Sequence, residues 1–266
     1  MSQYAKMYEI KNAAKDSLDG KYSGAIGIIL VSNLIMTTII SWISNIVGGV
    51  STSTMQLSGS IAATIAVSGV VELILLAANI LLGVLNAGIA FYFLSTACGE
   101  PSTINHLFAG YRGDNKKALQ ISAVLTTAQT VCLLPYQYLL SRAQMTMIQS
   151  LTQDNQMLST ALTEKYLLYA VIALAIGLLV YLPISLTFEL SYFFMWDFPE
   201  LSGKEVLTLC YNKMKGHKAR LLRLEFSFLP LMFLCVLSFG IGFLWLRPYM
   251  QMAQTKFYLN MMNPEE

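Results

Sequence analysis

Glu72, Asn79 and Asn86 lie inside one long apolar stretch, seven residues apart. Seven residues is two turns of α-helix, so the three side chains share a face. Ser68, Gly83 and Ala90 join that face at intervals of three or four. A carboxylate in hydrocarbon costs about 3 kcal/mol on insertion scales unless it is paired or protonated. This face must therefore look into a helix bundle. Two chemistries fit it. One is a packing seam, in which small residues let helices approach and each Asn amide bonds across for about 0.6–2 kcal/mol. The other is the wall of a polar pathway.

Other polar groups fall in further apolar stretches. Ser122, Thr126, Gln129 and Thr130 lie on one side of a third run. Glu189 lies near the end of a fourth run, where it could reach water or pair with Lys218 or Arg223. Pro183 in that run should kink its helix and free a carbonyl, which Thr187 could satisfy. Ala170, Ala173 and Gly177 form a small-residue face suited to close packing. The candidate polar seam is thus Glu72, Asn79, Gly83, Asn86, Gln129 and Glu189. Lys213, Lys215, Lys218, Arg220 and Arg223 crowd the start of a fifth apolar run. Cations so placed attract anionic headgroups at about 1 kcal/mol each, and they equally mark a cytoplasmic segment.

Signatures of enzymes are absent. No H-E-x-x-H, G-x-S-x-G or G-x-x-x-x-G-K-[ST] occurs. His106 and His217 stand far apart, and Asp114, Asp154 and Asp197 fall in loops. Cys98, Cys132, Cys210 and Cys235 form no C-x-x-C and read as small hydrophobes or reduced thiols. No cofactor, metal or nucleic-acid partner is expected.

The elements that must hold these residues follow from composition. The 266-residue chain is 55% hydrophobic and 12% charged. Soluble proteins carry about 25% charged residues, and a soluble fold could not cover so much apolar surface. The expected fold is an all-α, polytopic transmembrane helix bundle. Windows of about 20 apolar residues, enough to cross roughly 30 Å of hydrocarbon, fall at 24–47, 66–94, 118–140, 166–194 and 224–246. The second run extends back to Ile61, and a re-entrant first part, giving six membrane segments, is the alternative. A neutral stretch at 48–60 precedes it, and a tail at 247–266 closes the chain.

Lys and Arg set orientation. With the N-terminus inside, the cytoplasmic segments hold Lys6, Lys11, Lys15 and Lys21, then Arg112, Lys116 and Lys117, then Lys204 and the five cations above. Of the 17 basic residues, only Arg142, Lys165, Arg247 and Lys256 then fall outside. The lysine-rich N-terminus has no cleavage signature and reads as cytoplasmic. Residues 3–19 place Met7, Ile10, Ala14 and Leu18 on one face, predicting an amphipathic helix on the membrane surface. In the basic loop 195–223, Ser202-Gly-Lys-Glu205 reads as a capping box, followed by an apolar stripe of Val206, Cys210 and Met214.

Several segments resemble a known family. Leu182-Pro183, Phe188-Glu189, Tyr192-Phe193-Phe194 and Asp197 through Pro199-Glu200 are similar to a stretch of the bacterial membrane family called domain of unknown function 975. So are Lys213 to Lys218, Leu224 to Phe228, Gly240 to Tyr249, and Phe257-Tyr258, with a fainter likeness at Leu107-Phe108-Ala-Gly110-Tyr111. The resemblance implies a multi-span bacterial inner-membrane protein without an assigned activity. Beside it, the residues favour a non-enzymatic protein acting through lipid or protein partners in the envelope. The alternative is a small-solute or ion transporter, or a subunit of one, using the polar face of the second span.

Overall fold

The computed structural model describes residues 5–58, 61–112, 115–152 and 156–263. The side chain of Ser68, and Asp114 and Asp154, lie outside what it describes. The described residues are helical, with no strand among them. The helices in order are α1 (Met7–Leu18), α2 (Tyr22–Ser58), α3 (Ile61–Gly83), α4 (Leu85–Ala97), α5 (Ala109–Arg112), α6 (Asn115–Thr152), α7 (Gln156–Phe188), α8 (Ser191–Asp197), α9 (Gly203–Lys213), α10 (Lys218–Phe226), α11 (Leu229–Leu237) and α12 (Phe243–Met262). A 3-10 turn at Ile104–Phe108 leads into α5.

Four stretches are helical, long and apolar enough to cross a membrane: Tyr22–Ile46, Gly69–Ala97, Lys116–Gln144 and Ala161–Asp197. They match the first four expected spans. The fifth, 224–246, is not one helix: breaks at Ser227–Phe228 and at 238–242 divide it. The neutral stretch after the first span is helical as far as Ser58, where α2 ends. The long second run is broken once, at Val84, whose backbone stays in the right-handed helical region at φ −62°, ψ −25°. One such residue bends a helix but does not reverse it, so α3 and α4 follow each other as a kinked pair.

By packing, the chain divides into two compact units, Met1–Ala123 with Thr187–Glu266, and Val124–Leu186. In the second unit, α6 and α7 meet through the small-residue face. A Cβ on Gly177 would stand 2.7 Å from the Cys132 carbonyl oxygen, and Ala170 is buried beside it on the same face. Thr146 and Thr163 hydroxyls bond at 2.9 Å further along. Leu168, Val171, Ile176 and Leu179 stay exposed, as lipid-facing leucines and valines should.

The core of the first unit gathers at one end. Ile10, Ala14 and Leu18 of α1 are buried against α12, so the amphipathic face is covered by protein rather than laid on a surface. Phe193 and Phe194 of α8 pack on Tyr258 of α12, with ring centroids 5.4 and 5.0 Å apart. Val206, Cys210 and Met214 of the α9 stripe are fully buried. The capping box forms: Ser202 N–H donates to Glu205 at 2.8 Å, and Glu205 N–H reaches the Ser202 hydroxyl at 3.5 Å. The Ser202 N–H, and after it the Ser202 hydroxyl, which donates to the carboxyl at 2.8 Å, hold Glu205 below its usual range. The spans themselves leave Leu34, Trp42 and Leu73 exposed.

Two substitutions test this packing. Gly88 of α4 lies against the backbone of the 3-10 turn, where an added Cβ would sit 1.9 Å from the Leu107 carbonyl oxygen. Gly88→Ala is expected to cost about 3 kcal/mol or more, read as a lower melting temperature in detergent. Ser202→Ala should cost about 1 kcal/mol, since only the cap is lost.

Candidate functional site

The kink at Val84 organises the polar chemistry of the first unit. Val84 N–H turns to the Leu81 carbonyl at 3.3 Å, so the Ile80 carbonyl loses its regular helical donor. Side chains gather on the carbonyls around the break. The Ser122 hydroxyl donates to the Ile80 carbonyl at 2.7 Å, Tyr111 to Leu81 at 2.5 Å and Tyr192 to Gly83 at 3.3 Å. The Trp196 indole N–H donates to the Ala87 carbonyl at 2.8 Å. A similar repair follows α7, which ends at Phe188: the Thr187 carbonyl accepts the Cys210 thiol at 3.1 Å. Burial pushes that thiol up to about 12.

Beside the kink, a cavity of about 380 Å³ is lined by Asn33 and Ser32 of α2, Asn86 of α4, and Arg247, Gln251 and Gln254 of α12. Gln254 leaves this cavity to join two carboxylates. Its Nε2 donates to Glu189 at 2.5 Å and to Glu225 at 3.0 Å. Glu189 sits between α7 and α8, and Glu225 ends α10, so one amide ties three elements.

At the core end, α12 is fastened by charged groups. Lys256 Nζ donates to the Ala97 carbonyl at 3.2 Å, and burial lowers the affinity of this amine for its proton. The Tyr258 hydroxyl donates to Asp197 at 2.5 Å, and burial together with that carboxylate raises the phenol. Arg220 reaches the Ala5 carbonyl at 3.0 Å and Asn260 at 2.5 Å, with its guanidinium 5.0 Å from the Phe257 ring. Lys11 Nζ donates to the Ser227 carbonyl at 3.0 Å and lies 4.3 Å from the Phe228 ring. A second cavity, about 570 Å³, opens there among Ala5, Glu9, Cys98, Lys256 and Asn260.

The residues singled out in the sequence are thus dispersed. Glu72 and Asn79 are exposed on α3, and the Asn79 amide donates to the Leu75 carbonyl of its own helix at 2.8 Å. Gly83 contributes its carbonyl to Tyr192, and Asn86 lines the smaller cavity. Gln129 is exposed on α6 in the second unit. Glu189 meets Gln254 and Glu225 rather than the cations Lys218 and Arg223. Among those cations, Arg220 serves the interior, and Lys215 and Lys218 lie 4.7 and 5.6 Å from the Tyr211 ring. Lys213 and Arg223 are exposed. Arg247, Gln251, Gln254 and Glu225 join these groups from outside the expected seam. The 247, 251, 254 spacing is a readable helix face, masked because these residues follow an apolar run long enough for a full crossing. Among the described residues, no group of three His, Cys, Asp or Glu side chains could hold a metal.

A helical fold with no strand among the described residues and four apolar helices of crossing length suits a membrane-embedded protein. The chain belongs to the family described as Protein of unknown function (DUF975), whose model matches residues 1–265. No curated protein and no solved structure matches the chain.

Two measurements test the site. Gln254→Leu removes the donor shared by two carboxyls and should cost about 1–3 kcal/mol of stability. Glu225→Gln replaces one of two neighbouring carboxyls with a neutral amide and should cost less than Gln254→Leu, read by thermal unfolding in detergent. Exposed Cys98 should react with a water-soluble maleimide in the folded protein, whereas Cys210, buried and bonded to Thr187, should react only on unfolding.

Proposed function

We propose that this chain is a non-enzymatic protein of the bacterial cytoplasmic membrane, with its N-terminus inside, that acts through lipid or protein partners in the envelope. The carrying observation is the cationic end. Lys213 and Arg223, on short helices that follow the fourth span, and Lys215, in the turn between them, stand exposed, where their charge is available to a membrane surface. Anionic headgroups are the partner this chemistry fits, at about 1 kcal/mol for each cation. Lys204, exposed at the start of α9, extends the same surface. The uneven placement of Lys and Arg supports the orientation.

The test is lipid retention. Protein reconstituted in mixed zwitterionic and anionic bilayers, then extracted gently, should carry anionic lipid by native mass spectrometry. The triple variant Lys213→Ala, Lys215→Ala, Arg223→Ala should lower the anionic preference by up to about a hundredfold at low salt. Equal retention by the two proteins would sink the proposal.

A second reading, transport of a small polar or anionic solute, is favoured by one observation. The 380 Å³ cavity presents Asn33, Asn86, Arg247, Gln251 and Gln254 together. Such a mix of amides and one cation suits a small oxyanion or polar solute. Solute uptake into proteoliposomes that is lost in Arg247→Ala and Asn86→Leu would move the assignment to transport.

A further inference from the structure

The segment 224–246 is apolar enough for a membrane, yet no helix of crossing length lies within it. α11 has nine residues, about 14 Å at 1.5 Å per residue, which is half a hydrocarbon core. The chain then turns back. Phe239 and Gly240 adopt positive φ values of 53° and 86°, and Gly240 N–H closes on the Cys235 carbonyl at 2.9 Å. Gly242 packs so tightly on the preceding helix that an added Cβ would stand 2.6 Å from Cys235 Sγ. A reversal that brings residue 242 back onto residue 235 makes α11 and the start of α12 a helical hairpin.

The surroundings give the hairpin a depth. Its arms share one cavity with Tyr22, at the start of the first span, and another with Ile29 and Met36 of the same span. The tip therefore extends alongside α2, past its first turns. No described residue covers the tip: Phe239 is 99% exposed, and Val236, Leu237 and Ile241 are each at least 60% exposed. An aromatic side chain held at positive φ with no protein around it would be poorly placed in water. The far half of α12 returns to the end where α1 lies. Asn260 accepts from the Ala5 N–H at 3.3 Å, and Lys256 holds Ala97, the last residue of α4.

We propose that residues 229–246 form a re-entrant hairpin that enters the bilayer from the face carrying α1, seats its tip in lipid hydrocarbon and leaves by the same face. The inference rests on the membrane reading above but not on which face is cytoplasmic. It removes the fifth crossing and puts α1 and the end of α12 on one side. Arg247 and Lys256 then join the basic side, which leaves Arg142 and Lys165 as the two cations of the opposite face and sharpens the charge asymmetry. Non-helical backbone at that depth is tolerated because its polar groups are met locally: the Ser238 hydroxyl accepts from Gly242 N–H at 3.1 Å and donates to the Cys235 carbonyl at 2.8 Å.

The experiment uses the full chain in native membranes, with protease-cleavable tags before α1 and after α12. Digestion of right-side-out and inverted vesicles should remove both tags from the same preparation. Removal from opposite preparations means that 224–246 crosses, which overturns the hairpin. Removal of both from right-side-out vesicles keeps the hairpin and overturns the inward orientation, so the two readings fail separately. Phe239→Cys, treated with a membrane-impermeant maleimide from each side and read by peptide mass spectrometry, should stay unlabelled until detergent unfolding. Labelling of folded Phe239→Cys from either side would show a tip in water and overturn the lipid assignment.

Discussion

Satisfaction of backbone carbonyls is the constraint on which this molecule depends. A helix that crosses hydrocarbon can close its own ladder, but a broken one cannot, and each orphaned polar group costs several kcal/mol in lipid. The chain breaks its apolar helices at Val84, after Phe188 and at 238–242. At each break a side chain from another element, or from the turn itself, supplies a donor to a carbonyl: Ser122, Tyr111 and Tyr192 at the first, Cys210 at the second, and the Ser238 hydroxyl, on the Cys235 carbonyl, at the third. The donors fix where those elements lie. The kink thereby positions α5, α6 and α8 around α4, and the packing of aromatic rings on α12 follows from that placement.

Much of this was legible in the amino-acid pattern, and what was not has physical causes. Periodicity and length located four helices long and apolar enough to cross a membrane, because roughly 20 apolar residues in a row have few other uses. The capping box at Ser202 and the stripe of Val206, Cys210 and Met214 were readable because both depend on residues within two or three turns of one another. The segment 224–246 misled because hydropathy measures affinity for lipid and not direction of travel. Only Ser238, Gly240 and Gly242 mark its turn, and Phe239 among them is a residue that seldom takes positive φ. The polar face of the second span was read as one seam, yet Asn79 turns to its own helix while Asn86, beyond the kink, faces a cavity. A kink rotates one half of a face away from the other, and no spacing rule carries across it. The Glu189–Gln254–Glu225 cluster joins residues 29 and 65 positions apart, which no local pattern encodes.

The distribution of burial also separates two kinds of work within the chain. Close packing is concentrated where α1, α4, α8, α9 and α12 meet, among residues that lie at or beyond the ends of the spans. The helices of crossing length have few buried positions, and among their exposed side chains are many Leu, Ile and Val. Lipid solvates those surfaces without a hydrophobic penalty, so helix association within the membrane must rest on small residues and hydrogen bonds. Gly177 against Cys132 and Ser122 against Ile80 are those contacts. The end-on core, by contrast, gains from water exclusion in the usual way.

One consequence concerns the order in which the chain is made. Ile10, Ala14 and Leu18 find their cover on α12, the last helix. During synthesis the apolar face of α1 is therefore made first and closed last, after every intervening span has been inserted. Arg220 and Asn260 both reach Ala5, so the latch that closes it is drawn from late segments of the chain. Until residue 260 has emerged, the first helix of this protein remains a ligand in search of its site, open to the membrane surface or to chaperones.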